Sequence, residues 1–210
     1  SVDTPVESQS AVEDKETSEQ SAATQINPED YDEKIETDVL VIGGGGTGLT
    51  ASISAAEMGK NVVLLEKMSY VGGATLMSAG KVPAAGTSLQ EEAGIIDTPE
   101  ALATDILRPG DYGQRGDLVE LVADNSKDFI DWAAERGVNW TLETNLLYYG
   151  QTVNRMHVAE EGGIGITGPL SEKIEGMDNI NLMLETKGTG LVADETGKVI
   201  GGTAEDSSGK

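Results

Sequence analysis

The chain has 210 residues, 38% of them hydrophobic, with a formal net charge of −23 and no cysteine. This length suffices for one sizeable domain or two small ones, each with its own core. The charge argues against nucleic acid or an anionic membrane as partner, and the missing thiols exclude disulfides, thiolate metal sites and thiol catalysis. Redox chemistry in this chain therefore needs a cofactor.

Residues 1–34 are rich in Ser, Thr, Glu, Gln and Asp and show no periodic apolar face, which is typical of a disordered acidic linker. The first 38 residues carry twelve acidic side chains against Lys15 and Lys34. A chain that starts inside such a linker is expected to be trimmed, and the linker favours an exported or membrane-tethered protein. A cytoplasmic protein with an acidic tail is the alternative. We predict no transmembrane segment and no signal peptide, because apolar runs such as 62–65 are too short.

A βαβ unit is predicted after the linker. Thr37–Ile42 is a short apolar run typical of a strand buried on both faces. Leu49–Met58 places small and apolar residues at helical spacing, and Gly59 ends the helix. Asn61–Glu66 is predicted to be a second buried strand. Such a unit begins an α/β fold, a doubly wound parallel sheet of the Rossmann-like kind with a right-handed crossover.

Inserted helices are predicted after a loop of Gly, Ala and Ser over residues 70–88. Thr98 is a typical helix cap, with Pro99 at the first helical position. A longer helix is expected over Asp117–Arg136, ended by Gly137. Its apolar side is predicted to consist of Leu118, Leu121, Val122, Phe129, Ile130 and Trp132.

The last third of the chain is predicted to be irregular over 140–168 and helical over Pro169–Glu175. Strands are expected over Asn181–Glu185, Gly190–Asp194 and Lys198–Thr203, the last two forming a β-ribbon near the C-terminus.

Gly43, Gly45 and Gly48 satisfy the pattern G-x-G-x-x-G between the first strand and the helix. The first glycine allows the tight turn, the second lets a pyrophosphate reach backbone amides, and the third lets helix and strand pack closely. Glu66 ends the second strand, where a carboxylate can accept hydrogen bonds from adenosine ribose hydroxyls. This context predicts a dinucleotide, and it leaves nicotinamide and flavin cofactors open.

The segment after Glu66 and Lys67 favours a flavin. It is a second loop of small residues, MSYVGGATLMSAGKVPAAGTS. A nicotinamide domain usually proceeds to another helix at this point. A backbone-rich loop beyond the pyrophosphate suits a longer ligand such as FAD, whose ring system must be approached along its edge.

At this point the chain resembles the fumarate reductase and succinate dehydrogenase flavoprotein family, especially flavocytochrome c type fumarate reductases and urocanate reductase-like enzymes. The resemblance covers Thr37 to Asp206. It rests on five blocks in order: DVLVIGGGGTGLTASISAAEMGKNVVLLEK, VGGATLMSAG, DLVELVADNSKDFIDWAAERGVNW, VNRMHVAEEGGIGITGPL and NINLMLETKGTGLVADETGKVIG.

The resemblance implies FAD as cofactor, with its pyrophosphate at the first glycine loop, its ribose at Glu66 and its flavin ring beside the second loop. Gly188 or Thr189 is expected near the adenine. The cofactor-binding residues implied are Gly43, Gly45, Gly46, Thr47, Gly48, Glu66, Lys67, Gly73, Ala74, Thr75, Ser78, Ala79, Gly80 and Gly188.

Two departures from the family pattern concern the second loop. Ala74 stands where the family usually has Asn, and Lys81 where it often has a second Gly, so a polar contact is lost and a cation comes to the flavin edge or points to solvent. His157, the only histidine, lies in a segment similar to a flavin-proximal Asn-Arg-x-His loop. It is expected either to orient the flavin or hydrogen-bond a carboxylate, or to be a plain loop or interface residue. A single His makes no metal site.

The resemblance implies an oxidoreductase in which reduced FAD passes hydride to the double bond of an unsaturated carboxylate such as fumarate, with electrons from a donor protein or domain. The family's substrate and proton-donor residues lie beyond the matched segment, so no catalytic residue is assigned. We expect residues 35–210 to be the amino-terminal portion of an incomplete FAD-binding domain, with the substrate-clamping domain absent and no activity alone. The alternatives are a noncatalytic flavin-binding or electron-relay module and an NAD-dependent dehydrogenase.

Overall fold

The computed structural model describes residues 31–210. The predicted linker over 1–34 lies almost wholly outside this part, and residues 31–34 are exposed and without regular structure. The helices are α1 (Gly46–Glu57), α2 (Gly73–Leu76), α3 (Ser88–Glu92), α4 (Pro99–Leu107), α5 (Gly116–Ala134) and α6 (Gly163–Glu175). The strands are β1 (Val39–Ile42), β2 (Val62–Leu65), β3 (Lys81–Pro83), β4 (Trp140–Leu142), β5 (Met156–Ala159), β6 (Ile180–Met183), β7 (Thr186–Ala193) and β8 (Val199–Asp206).

The predicted βαβ unit is confirmed as β1, α1 and β2. The three strands β1, β2 and β6 form a parallel sheet in the order β1-β2-β6, with Val39 opposite Val62 and Val62 opposite Ile180. The helix α1 begins at Gly46 rather than at the predicted Leu49, so the last of the four glycines lies inside the helix. The carboxyl ends of β1 and β2 therefore share one edge, where ligands bind in folds of this kind.

The parallel sheet is covered differently on its two faces. On one face α1 and α6 contribute Leu49, Ile53, Leu170 and Ile174 to the main core. On the other face the antiparallel ribbon β7–β8 lies against β1, and a Cβ at Gly188 would fall 2.7 Å from Ile42 Cγ2. These layers place a glycine-rich ribbon close to the end of β1.

The prediction that both strands are buried on both faces holds for β2 only. All four residues of β2 are buried, whereas Ile42 of β1 is 49% exposed. The reason is position, because β1 lies at the edge of the sheet and β2 in its centre. The exposed end of β1 borders the cleft described below.

A second sheet, antiparallel and ordered β3-β5-β4, corrects the prediction that 140–168 is irregular. It also corrects the prediction of a continuous loop over 70–88, since α2 and β3 lie there. The helix predicted from Pro169 begins earlier, at Gly163, with Pro169 inside it. The strands β3, β4 and β5 have three or four residues each, which is too few for a periodic sequence pattern. They form because β5 pairs with β3 on one side and with β4 on the other.

The predicted apolar side of α5 is wrong in its first half. Leu118, Leu121 and Val122 are 49%, 59% and 55% exposed. The buried residues are instead Val119, Ala123, Ser126, Ile130 and Ala133. Val119 and Ala123 join Leu102 and Ala103 of α4 in one buried cluster, so contact with α4 decides which face of this half of α5 is buried.

The predicted start of α4 is confirmed, because Thr98 Oγ1 accepts a hydrogen bond from the Ala101 N–H and Pro99 is the first helical residue. Within residues 31–210, no helix combines the length and the apolar character needed to cross a membrane.

Candidate functional site

The loop between β1 and α1 turns sharply, and two of its glycines serve that turn and its packing. Gly43 has φ +101°, a conformation that favours glycine, and its N–H donates to the Leu65 carbonyl at 2.8 Å. A Cβ on Gly48 would lie 1.9 Å from the Gly43 carbonyl oxygen. The structure thus gives Gly43 and Gly48 the roles that the motif predicted for its first and third glycines.

Gly45, the second glycine of the motif, is different. Its φ of −74° is open to any residue, and a Cβ there would have only the Gly72 carbonyl oxygen within reach, at 4.0 Å. The fold therefore gives no steric reason for glycine at this position. A group from outside the described chain that approaches the backbone of Gly45 closely would supply one.

A cleft of about 390 Å³ lies at this point. Its lining consists of Val41, Ile42, Gly43, Gly45, Gly46, Thr47, Gly48, Ala51, Ala74 and Thr75. Most of these residues are glycines or small side chains, so the ligand would meet mainly backbone.

The cleft receives the amino-terminal end of α1. The N-cap residue is Gly45, which has no side chain to accept hydrogen bonds from the first amides of the helix, and the first turn carries no acidic residue. The first amides of a helix have no acceptor within the helix, and they carry a partial positive charge. An anion such as a pyrophosphate fits this end of the helix, with the amides of Gly46 and Thr47 as its donors.

The structure brings the second glycine segment against the first, a contact that the sequence analysis did not predict. The Gly72 N–H donates to the Gly44 carbonyl at 2.7 Å. A Cβ on Gly73, which has φ +51°, would lie 3.2 Å from Gly45 Cα, and one on Gly46 would lie 2.6 Å from Thr75 Oγ1. Ala74 and Thr75 thereby reach the same cleft as the first loop.

Glu66 lies at the end of β2 next to the glycine loop, and it is 7% exposed. Its Oε2 accepts the Gly44 N–H at 2.7 Å, and its Oε1 accepts the Met68 N–H at 2.8 Å. The carboxylate that was expected to meet ribose is thus also bound to the protein backbone. Lys67 beside it is exposed.

Three further predicted residues follow α2 along the chain. Ser78 and Ala79 are exposed, and Ser78 Oγ donates to the Thr75 carbonyl at 2.8 Å. Gly80 is buried with φ +64°, and a Cβ there would lie 2.3 Å from the Gly162 carbonyl carbon. Packing against Gly162 therefore explains the glycine at 80, just as packing on Ile42 explains the one at 188. Contact of these three residues and of Gly188 with a cofactor stays a prediction.

His157 lies in β5, which corrects the expectation that it lies in a loop. A role in orienting the flavin or at an interface stays a prediction. Its side chain is fully buried. Nε2 is 2.8 Å from Thr87 Oγ1, and Nδ1 is 3.0 Å from the Arg155 carbonyl oxygen. The carbonyl can only accept, so Nδ1 carries the proton and Nε2 accepts from the Thr87 hydroxyl. Burial lowers the pKa of His157, which keeps the ring neutral.

Lys81 is exposed at the start of β3. Its ammonium donates a hydrogen bond to the Tyr148 hydroxyl and lies 5.1 Å from the centroid of that ring. The hydrogen bond raises the pKa of Lys81. The side chain is thus held by Tyr148 rather than left free in solvent.

Arg155, Asp97 and Asp105 form a buried ion network that the sequence did not predict. The Arg155 guanidinium donates to Asp97 through Nε and Nη2, both at 2.9 Å, and to Asp105 through Nη1 at 2.8 Å. Burial alone would raise the pKa of Asp105, but hydrogen bonds from Thr152 and the charges of Arg155 and Arg108 outweigh it and lower that pKa. Only tertiary structure joins residues so far apart in sequence.

Among residues 31–210, no group of three or more His, Cys, Asp or Glu side chains is placed to hold a metal ion. The donor set of the cleft consists of amides and hydroxyls, which suits an organic phosphate.

Comparison with known proteins identifies the ligand class. Residues 38–210 match the family model described as an FAD binding domain. The chain is 36% identical over 168 residues to urocanate reductase of Eggerthella lenta, and 33% identical over 190 residues to the fumarate reductase (cytochrome) of Shewanella frigidimarina. These matches cover 79% and 89% of this chain.

In structure, the chain superposes on the open conformation of a flavocytochrome c3 fumarate reductase with a TM-score of 0.74 and 30% identity, over 80% of this chain and 30% of that one. The chain spans 28% and 32% of the length of the two curated relatives. The comparisons thus decide between the two cofactors that the glycine motif left open, in favour of FAD.

Proposed function

The chain belongs to the FAD-binding domain family of the fumarate reductase and succinate dehydrogenase flavoproteins, and on this basis we propose that it is the FAD-binding part of a reductase for unsaturated carboxylates. Bound FAD supplies the hydride for such a reaction. The chain's own residues bind and orient the cofactor. The reducible double bond would belong to a compound such as fumarate or urocanate, the substrates in the names of the relatives.

The observation that carries the proposal is the open position at Gly45. Three features meet there: a glycine that the protein's own packing does not require, a helix start without an acidic residue, and a cleft lined by small residues. Together they provide backbone donors at close range to a pyrophosphate. The second glycine segment, at Ala74 and Thr75, extends this surface along the cofactor.

The cofactor edge beyond the pyrophosphate is proposed to lie along the exposed Ser78 and Ala79. Side chains of this size leave room for a flat ring, and the turn held by Ser78 Oγ keeps the backbone close to it. Ala74, which replaces an amide side chain of the family, leaves cofactor contacts here to the backbone.

The test is a titration of the purified chain with FAD and, separately, with NAD. We expect uptake of one FAD per chain with a visible flavin spectrum, and no saturable binding of NAD. Because the family's substrate residues lie beyond the matched segment, electron transfer to substrate is tested in a longer protein that contains this chain and spans the length of its relatives. Its FAD complex is reduced anaerobically and mixed with fumarate, urocanate or acrylate. Reoxidation by one of these acids, and not by its saturated product, supports the reductase. Flavin that is reduced but passes electrons only to other redox proteins would instead support an electron-relay module.

Two further parts of the proposal concern the surroundings of the protein. We propose an electron-donor protein or domain as partner, because the flavin must be reduced again after each turnover.

We also propose an extracytoplasmic location, which the acidic Ser, Thr and Glu composition of 1–34 favours. Fractionation of cells that produce the protein, with an antibody against residues 31–210, tests the location; recovery in the cytoplasmic fraction would contradict it.

A further inference from the structure

Gly44 and Gly46 are the two members of the four-glycine run at variable positions of the G-x-G-x-x-G pattern. The structure holds Gly44 from both sides. Its N–H donates to Glu66 Oε2 at 2.7 Å, and its carbonyl accepts the Gly72 N–H at 2.7 Å. Gly44 is buried. Both backbone groups of this residue are therefore bound by the segment that follows β2.

The Glu66 carboxylate connects two segments through its two oxygens. Oε2 binds the loop after β1 at Gly44, and Oε1 binds the turn after β2 at Met68, at 2.8 Å. A buried carboxylate that accepts backbone amides makes strong, charge-assisted hydrogen bonds. This arrangement exists in the protein without any cofactor contact.

The fit around Gly44 is close enough to explain why the residue is glycine. A Cβ at this position would lie 2.8 Å from Val71 Cγ1 and 3.2 Å from Glu66 Oε2. Any side chain would push Val71 and the carboxylate away from the loop. The glycine at 44 therefore serves the protein's own contact, whereas the glycine at 45 serves the open cleft.

From these contacts we propose that Glu66 is a positioning residue for the FAD-binding loop, acting through Gly44, in addition to any contact that it makes with ribose. The inference rests on the proposed FAD site. With Gly44 fixed, the amides of Gly46 and Thr47 point into the cleft before the cofactor arrives. Binding then costs less ordering of the loop, so the affinity for the pyrophosphate depends on Glu66.

The test uses Glu66→Gln and an FAD analogue whose adenosine ribose lacks both hydroxyls. Glutamine has one acceptor oxygen and an NH₂ donor, so one of the two backbone amides loses its acceptor. We expect Glu66→Gln to weaken binding of the analogue about tenfold, and binding of FAD by at least the same factor. If FAD were weakened and the analogue bound as before, Glu66 would act on ribose alone and the proposal would be overturned.

A nuclear magnetic resonance measurement on the FAD-free chain separates this inference from the proposed function. The amide protons of Gly44 and Met68 are both expected downfield and protected from exchange in the wild type, and at least one of them is expected to lose these features in Glu66→Gln. If both signals were the same in the two proteins, the contact would be absent even where FAD binds. If either signal changed but neither protein bound FAD, the contact would stand and the proposed function would fail.

The matched control is Asp38→Asn, which alters a carboxylate that also accepts a backbone amide, that of Asn61 at 2.8 Å, at the opposite end of the β1–β2 pair. It should leave FAD affinity unchanged. Should Glu66→Gln fail to fold, Gly44→Ala provides the second variant. Its affinity for FAD is expected to fall and to recover in part in Gly44→Ala/Val71→Ala, because the closest clash is with Val71. No recovery would count against the positioning role.

Discussion

The substitution Gly45→Ala separates what the fold needs from what the cofactor needs. Because φ is −74° and the nearest heavy atom to the new Cβ is 4.0 Å away, the methyl group neither strains nor crowds the cofactor-free protein. The free energy of unfolding should change by less than about 0.5 kcal/mol. In the proposed FAD complex, we expect the methyl group to occupy space of the pyrophosphate and to lengthen its contacts to two amides.

The loss of affinity follows from those two contacts. At about 1.5 kcal/mol for each hydrogen bond to a charged group, the total is about 3 kcal/mol, or roughly a 100-fold increase in the dissociation constant for FAD. Thermal unfolding of the cofactor-free chain and titration with FAD, followed by flavin fluorescence, measure the two effects separately. If Gly45→Ala bound FAD as tightly as the wild type, the placement of the pyrophosphate at Gly45 would be refuted. If Gly45→Ala were much less stable than the wild type, the claim that the cofactor-free fold has space for a side chain at this position would be refuted.

Three further predictions concern the frame of the site. Gly48→Ala places a Cβ 1.9 Å from the Gly43 carbonyl oxygen and should lower the free energy of unfolding by about 3 kcal/mol or more, seen in urea denaturation; a stable variant would contradict the packing of α1 on β1. Arg155→Met leaves the buried Asp97 without an ion-pair partner and Asp105 with Arg108 alone, and should cost about 3–5 kcal/mol, whereas Arg115→Met, in an exposed pair with Asp117, should leave Tm unchanged. For His157, burial lowers the folded pKa below the usual 6.5, so the unfolded chain binds the proton more readily. Stability should thus be complete above pH 6.5 and fall as the pH drops below it, with a weaker dependence in His157→Gln; equal pH profiles for the two proteins would contradict this.

The sequence by itself determined the βαβ unit and the identity of the cofactor. Strand, glycine motif and helix are local, and their spacing leaves few alternatives, so β1, α1 and β2 were placed within a few residues. The choice of FAD also came from local features, the second glycine loop and five motif blocks in order. The family model and the relatives confirm that choice.

Tertiary structure alone decided the roles of individual residues. Gly43, Gly45 and Gly80 are all glycines, so the sequence alone does not distinguish them. In the structure, Gly43 makes a turn, Gly45 faces an open cleft and Gly80 packs on Gly162. Similarly, the three-residue strand β3 and the burial of His157 depend on pairing with segments far away in the chain. Local patterns carry no information about such neighbours, because hydrogen bonding and packing there are satisfied only once distant segments meet.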